Sequence, residues 1–200
     1  MSWTTGTQTE ALGANAAVGA AYNTSTTCTV ISTAASAGYL PANFFLPSYG
    51  GAKALLVKAY GVLGVTGTPN LSIGVTANTT QGTPPANLTS GTSGVLATTG
   101  TVAMSSGVTN VPWELEVLLT CGTTGASGSI LGMGMFKVYN AATTATAWGG
   151  YRCSSSTANP NTGATLTTQS AYYIELAALW GTNNSANTIT MYGYTVLGLN

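Results

Sequence analysis

The residues 111–138, VPWELEVLLTCGTTGASGSILGMGMFKV, set the strongest constraint on the fold. Apolar and polar side chains alternate through Trp113, Glu114, Leu115, Glu116 and Val117, a period of two that belongs to a β-strand with one covered face. A stretch of Gly, Thr, Ser and Ala then interrupts the pattern, and a second apolar run follows. This reads as a hairpin. Similar runs recur: 52–65 alternates between Lys53, Leu55, Val57, Ala59 and Leu56, Lys58, Tyr60, Val62, and 71–77 alternates again. Turn-rich stretches separate these runs, and no segment carries a convincing helical period.

Further strands are expected at 27–33 (TCTVIST), once or twice within GVLATTGTVAMSS, and in the closing runs AYYIELAALW and NTITMYGYTVLGL. NTTQGTPPANLTSGTSG reads as a long loop, YLPANFFLPSYGG as a Pro-bounded loop, and the region between the hairpin and Thr168 as a third. About eight strands with turns between them predict an all-β chain, an antiparallel jelly-roll β-sandwich. Residues 37–200 are expected to form that single domain. Residues 1–36, small and polar, are expected to form an extended N-terminal arm or loosely paired segment.

Composition narrows the function. Charged residues make up 4% of the chain, against about 25% in typical proteins, and there is no His and no Asp. Disorder is excluded, because 44% of the residues are apolar and net charge is zero. Nucleic acid is not expected as a partner, since Lys53, Lys58, Lys137 and Arg152 are too few and scattered to neutralise phosphates. No membrane association is expected: no apolar run reaches about 18 residues, and MSWTTGTQTE lacks the features of a secretory signal. The chain is accordingly expected to be made in the cytoplasm.

The catalytic inventory is thin. Without His or Asp, the usual nucleophile–base arrangements and most metal sites are lost. Cys28, Cys121 and Cys153 are widely spaced and read as small buried hydrophobes. GTTGASG lies between two strands and has no Lys, so it is a turn and not a phosphate loop. Glu114 and Glu116 share one strand face about 6.5–7 Å apart, a spacing that a glycosidase pair could use. Carboxylates aligned on one strand more naturally flank solvent. They are expected on the wetter face, opposite Lys53, Lys58 or Lys137, and Glu175 is read in the same way. No catalytic residue, no metal ligand and no cofactor-binding residue is assigned.

The outer surface implied by this composition is hydroxyls, amides and glycine, almost without charge, and suits an ordered assembly. Phe44, Phe45, Leu46, Tyr49, Leu197 and Leu199, near turns and ends, are expected to be covered in part by neighbouring subunits.

Three segments carry a resemblance. GVLATTGTVAMSSGVTNVPWELEVLLTCGTTGASGSILGMGMFKV resembles a run that recurs in phage and prophage virion proteins, where a short strand leads to a Trp-containing strand, a Gly-Thr turn and a glycine-bearing strand. AKALLVKAYGVLGVTGTPNLSIGV is similar to that family's first core hairpin. LWGTNNSANTITMYGYTVLGLN is similar to its final pair of strands. The resemblance covers 52–138 and 170–200 and implies a jelly-roll virion protein, homotrimeric and displayed on a capsid or tail. The expected role is a non-enzymatic head decoration or cement protein bound to the major capsid protein. The alternatives are a minor tail or fibre protein and a carbohydrate-binding host-adhesion module, for which Tyr39, Tyr49 and Trp148 offer loop aromatics.

Overall fold

A computed structural model describes residues 9–15, 26–32, 38–46, 53–139, 148–156 and 163–199. Thirteen strands, and no helix, occur among the described residues. They are β1 (Thr9–Asn15), β2 (Thr29–Val30), β3 (Gly38–Leu40), β4 (Ala54–Val65), β5 (Asn70–Asn78), β6 (Val95–Thr98) and β7 (Val102–Ala103). Then come β8 (Val108–Thr123), β9 (Gly128–Tyr139), β10 (Trp148–Ser154), β11 (Ala164–Leu166), β12 (Tyr172–Trp180) and β13 (Thr188–Leu199).

All recorded pairings are antiparallel, and the order β1-β13-β4-β8-β9-β10-β6-β5-β12-β2 makes one continuous sheet. The sheet curls into a half-barrel, so the chain is all-β and antiparallel as expected. Register shifts at Leu63/Val65, Val75/Thr76, Cys121/Thr123 and Met191/Gly193 add local twist and help the curl. Four pairs are nested in sequence: β8 with β9, β6 with β10, β5 with β12, and β4 with β13. A long hairpin folded back on itself gives this pairing set.

The concave side is the core. Leu55, Val57 and Leu63 of β4, then Trp113, Leu115, Val117 and Leu119 of β8, are nearly solvent-free. They pack in one cluster with Phe136 and Val138 of β9, Ile73 and Val75 of β5, and Ile174, Leu176 and Trp180 of β12. Curling brings β13 and β12 together across this core, where the Tyr194 hydroxyl donates to the Ile174 carbonyl at 2.8 Å. Gly132 marks the place where β6 passes over β9. A Cβ there would stand 2.5 Å from the Leu96 carbonyl oxygen and 2.8 Å from Ala97 Cβ.

A smaller cluster lies on the convex side of β5 and β12. Cys28, Leu88, Val95 and Ala177 are buried there, with Leu179 packed against them. The 79–94 loop closes over it through Leu88, whose carbonyl accepts from Thr98 Oγ1 at 2.8 Å. The expected loop is therefore real, and besides its exposed turns it covers apolar surface through Leu88.

Several expectations need correction. The region before Thr168 holds two strands, β10 and β11. The glycines of WGGYRCS and the shortness of ATL hide both from a period-two reading. Strand 27–33 shrinks to Thr29–Val30, and Gly38–Leu40 pairs with β12 inside what reads as a loop. Phe44 and Phe45 are 4% exposed and belong to the core, packed edge to face at 5.1 Å. They are unavailable to a neighbouring subunit. Of the N-terminal segment, Thr9–Asn15 pairs with β13, while 1–8, 16–25 and 33–36 lie outside the described residues, as does Tyr49.

Candidate functional site

The convex face of β13, β4, β8, β9 and β10 differs from the rest of the surface. Alternation fixes its composition: with Trp113, Leu115 and Val117 turned to the core, Glu114 and Glu116 must face solvent. Register then places their partners. Glu114 lies opposite Lys137 of β9 and Glu116 opposite Lys58 of β4. The Lys137 ammonium donates to Glu114 Oε1 at 2.7 Å, and Lys58 Nζ stands 2.8 Å from Glu116 Oε2. Lys53, the third lysine considered, sits with its ammonium 4.7 Å from the centre of the Phe44 ring.

Two rows of side chains cross the sheet. One runs Gly193, Tyr60, Glu114, Lys137, Gly150; the next runs Thr195, Lys58, Glu116, Met135, Arg152. Two of the long side chains, Tyr60 and Met135, lie over glycines. A Cβ on Gly193 would collide with the Tyr60 ring, and the Met135 sulfur would lie 3.2 Å from a Cβ on Gly150. Tyr192, the extra residue at the Met191/Gly193 shift, is exposed beside them, as is Met133 of β9. Five of the eight charges in the sequence therefore share this face with Tyr60, Met133, Met135 and Tyr192. The large apolar side chains left exposed among the described residues are these four and Tyr39. A shallow groove of about 500 Å³ runs along it between Tyr60, Leu118 and Met133.

Each carboxylate of the Glu114–Glu116 pair is neutralised by a lysine, and all four side chains are about half exposed. Hydrogen bonding to Glu114, then its charge, raises the Lys137 pKa above the ordinary lysine value and keeps the ammonium charged. Exposed pairs of this kind add little stability and mainly set which surfaces can approach. Sequence reasoning locates the charges and puts Tyr60 on the face of Lys58, but misses Met133 and Met135. The alternation of MGMFKV could have shown them, since Phe136 and Val138 facing the core force Met133 and Met135 outward.

The other candidate residues lie apart. Glu175 is fully buried on the convex side of β12, which corrects its expected place on a wetter face. Its Oε1 accepts from the Gly82 N–H at 2.8 Å. Burial raises its pKa, opposed by that hydrogen bond. Cys28 and Cys153 are buried and their thiols are pushed up to about 11 and about 12, chiefly by burial. Cys121, half-buried at the end of β8, is raised by the same cause. Among the described residues, no cluster of three or more His, Cys, Asp or Glu side chains could hold a metal ion. Tyr39 is 50% exposed and packs edge-on against Tyr173 at 5.6 Å. A second groove, about 690 Å³, is lined by hydroxyls such as Thr92, Ser93 and Thr165, by Asn78 and by Tyr172. No known protein family matches the chain, and no curated protein or solved structure shows significant similarity to it.

Proposed function

We propose that this chain is a non-enzymatic structural protein of a bacteriophage virion. In this reading it is a head decoration or cement protein that binds the major capsid protein on the outer shell as a homotrimer. It is made in the host cytoplasm and works in the virion. The observation that carries the reading is the convex face of β13, β4, β8, β9 and β10. A chain almost devoid of charge concentrates five charges and four exposed large apolar side chains on one stiff sheet. Apolar anchors ringed by polar groups are the makeup of a binding surface. Contacts of modest individual strength, repeated by the symmetry of a shell, suffice to hold such a layer in place. The nested strand pairs, together with the sequence resemblance, support a jelly-roll relationship.

Particle composition tests this. Purified virions should contain the chain in hundreds of copies, and changing Tyr60, Met133 and Met135 together to Ser should remove it from particles while leaving it folded. A handful of copies per particle would move the assignment to the tail or a fibre. The polar groove beside Asn78 and Tyr172 favours a second reading, a carbohydrate-binding adhesion module. Glycan binding lost on Tyr172→Ala would select it.

A further inference from the structure

We propose that Glu175 is a proton-operated latch for the 79–94 loop: with its carboxyl neutral the loop is held closed over β5 and β12, and ionisation releases it. The carboxyl is 0% exposed and lies beneath that loop. Gly82, at φ 75°, donates its N–H to Oε1, while Oε2 has no hydrogen-bond partner. On the same face of β5, the buried Nδ2 of Asn78 also has none. One neutral donor is poor compensation for a buried carboxylate anion, for which isolation in apolar surroundings is among the costliest states a side chain can occupy.

No cation faces it. β5 contributes Thr76, buried and neutral, whose hydroxyl donates to the Glu175 main-chain oxygen at 3.4 Å. β13 contributes the buried phenol of Tyr194, which an anion at Glu175 makes still harder to ionise. The N-terminal side contributes Cys28 to the cluster around Ala177, two residues along β12, and its thiol is neutral up to about 11. The 79–94 loop itself contains no charged residue. Burial raises the carboxyl pKa and the Gly82 bond only partly opposes it.

The sign follows by linkage. Because the value in the closed state lies above the unfolded carboxyl value, the stabilisation is complete below the unfolded value and is lost as pH rises through the closed-state value. Among the loop's other fastenings are the burial of Leu88, the Thr98–Leu88 bond and the 2.7 Å bond from the Ala77 N–H to the Gly94 carbonyl. They anchor its far end, whereas the Glu175–Gly82 bond acts at its near end.

Amide hydrogen exchange on the full chain, corrected for intrinsic rates, reads the latch. Between about pH 4 and about pH 8, protection at 79–86 should fall by roughly tenfold or more, with β8 and β9 unchanged. In Glu175→Gln it should be the same at both pH values. Equal wild-type protection at both pH values, or the same fall in Glu175→Gln, overturns the proposal. Should that variant fail to fold, the carboxyl carbon resonance of Glu175 decides the matter in the wild-type chain. A midpoint above the ordinary glutamate value, with loop amides titrating in step, supports the latch, and an ordinary midpoint overturns it.

Discussion

Lys137 Nζ stands 2.7 Å from Glu114 Oε1 across the β8–β9 hairpin, one row away from the Lys58–Glu116 contact at 2.8 Å across β4 and β8. The middle strand thus carries both acids, and each flanking strand carries one base. These pairs are open to solvent, so they contribute little to holding the fold. The double variant Glu114→Gln with Glu116→Gln should melt within a few degrees of wild type, as thermal unfolding would record. If the proposed role holds, its association with the virion should change markedly, because Lys58 and Lys137 are left uncompensated. A large loss of melting temperature would mean that the ladders hold the sheet together.

Trp113 lies at the opposite extreme. It is 1% exposed, packs beside Phe136 at 6.0 Å between ring centres, and donates its indole N–H to the Val62 carbonyl at 3.2 Å. Val62 has Pro112 as its cross-strand partner, and proline has no N–H to offer. The indole supplies a donor where the ladder lacks one. Trp113→Ala should cost about 3–5 kcal/mol in urea unfolding. Trp113→Phe keeps most of the bulk and should cost about 1–2 kcal/mol, chiefly from the lost hydrogen bond.

The contrast between Glu116 and Glu175 shows how much of this structure can be read from sequence. In WELEV every outward residue is polar and every inward one apolar, so the face follows from a period of two, whereas the choice of Lys58 and Lys137 over Lys53 is made by the register. YYIELAALW is apolar on both sides because both faces are covered, and alternation then carries no information about where Glu175 points. What covers it is the 79–94 loop, whose string of Thr, Gly, Pro and Ser signals turns but not the docking of Leu88. The loss of β10 and β11 has a similar cause: WGGYRCS and ATL are held by neighbours distant in sequence and have little strand character of their own. The exposed methionines of the convex face were legible in principle, but only after the core-facing phase of β9 was fixed.

Gly132 is required by a crossing and not by a turn. β6 runs so close that a side chain at this position meets the Leu96 backbone and Ala97. Backbone cannot swing aside as a flexible side chain can, so Gly132→Ala must push β6 away from β9. The expected cost is about 1–3 kcal/mol, the range for overpacking a tight core. Gly67, at φ 74° with nothing near its missing Cβ, is the control, since Gly67→Ala strains the backbone without a clash. Chemical denaturation of both variants separates the two effects, with Gly132→Ala also loosening amide protection in β6.

The three thiols should divide by burial. Cys121 Sγ is half-buried and donates to the Thr123 carbonyl at 3.2 Å, whereas Cys28 and Cys153 are each 1% exposed. Thiol reactivity follows thiolate fraction and access, both suppressed at the buried pair. Near pH 8 a thiol reagent should modify Cys121 well ahead of the others in the native chain and all three in denaturant. Mass spectrometry of the labelled peptides distinguishes them. Rapid labelling of Cys153 in the native chain would show that the seam between β9 and β10 opens readily.

Tyr194 ties the two ends of the curled sheet together, because its hydroxyl on β13 donates to Ile174 of β12 inside the core. Burial, reinforced by the nearby Glu175 charge, raises its pKa well above the ordinary phenol value. The folded value therefore exceeds the unfolded one, near 10. The stability linked to this phenol is complete below that unfolded value and is lost as pH rises above it. Tyr194→Phe should cost about 1–2 kcal/mol at neutral pH for the missing hydrogen bond. It should also flatten the alkaline fall in stability. In a spectrophotometric titration, wild type and Tyr194→Phe should give the same tyrosinate signal until the fold is lost, and only then differ by one phenol. An extra phenol titrating in the native wild-type chain would mean that the core between β12 and β13 admits water.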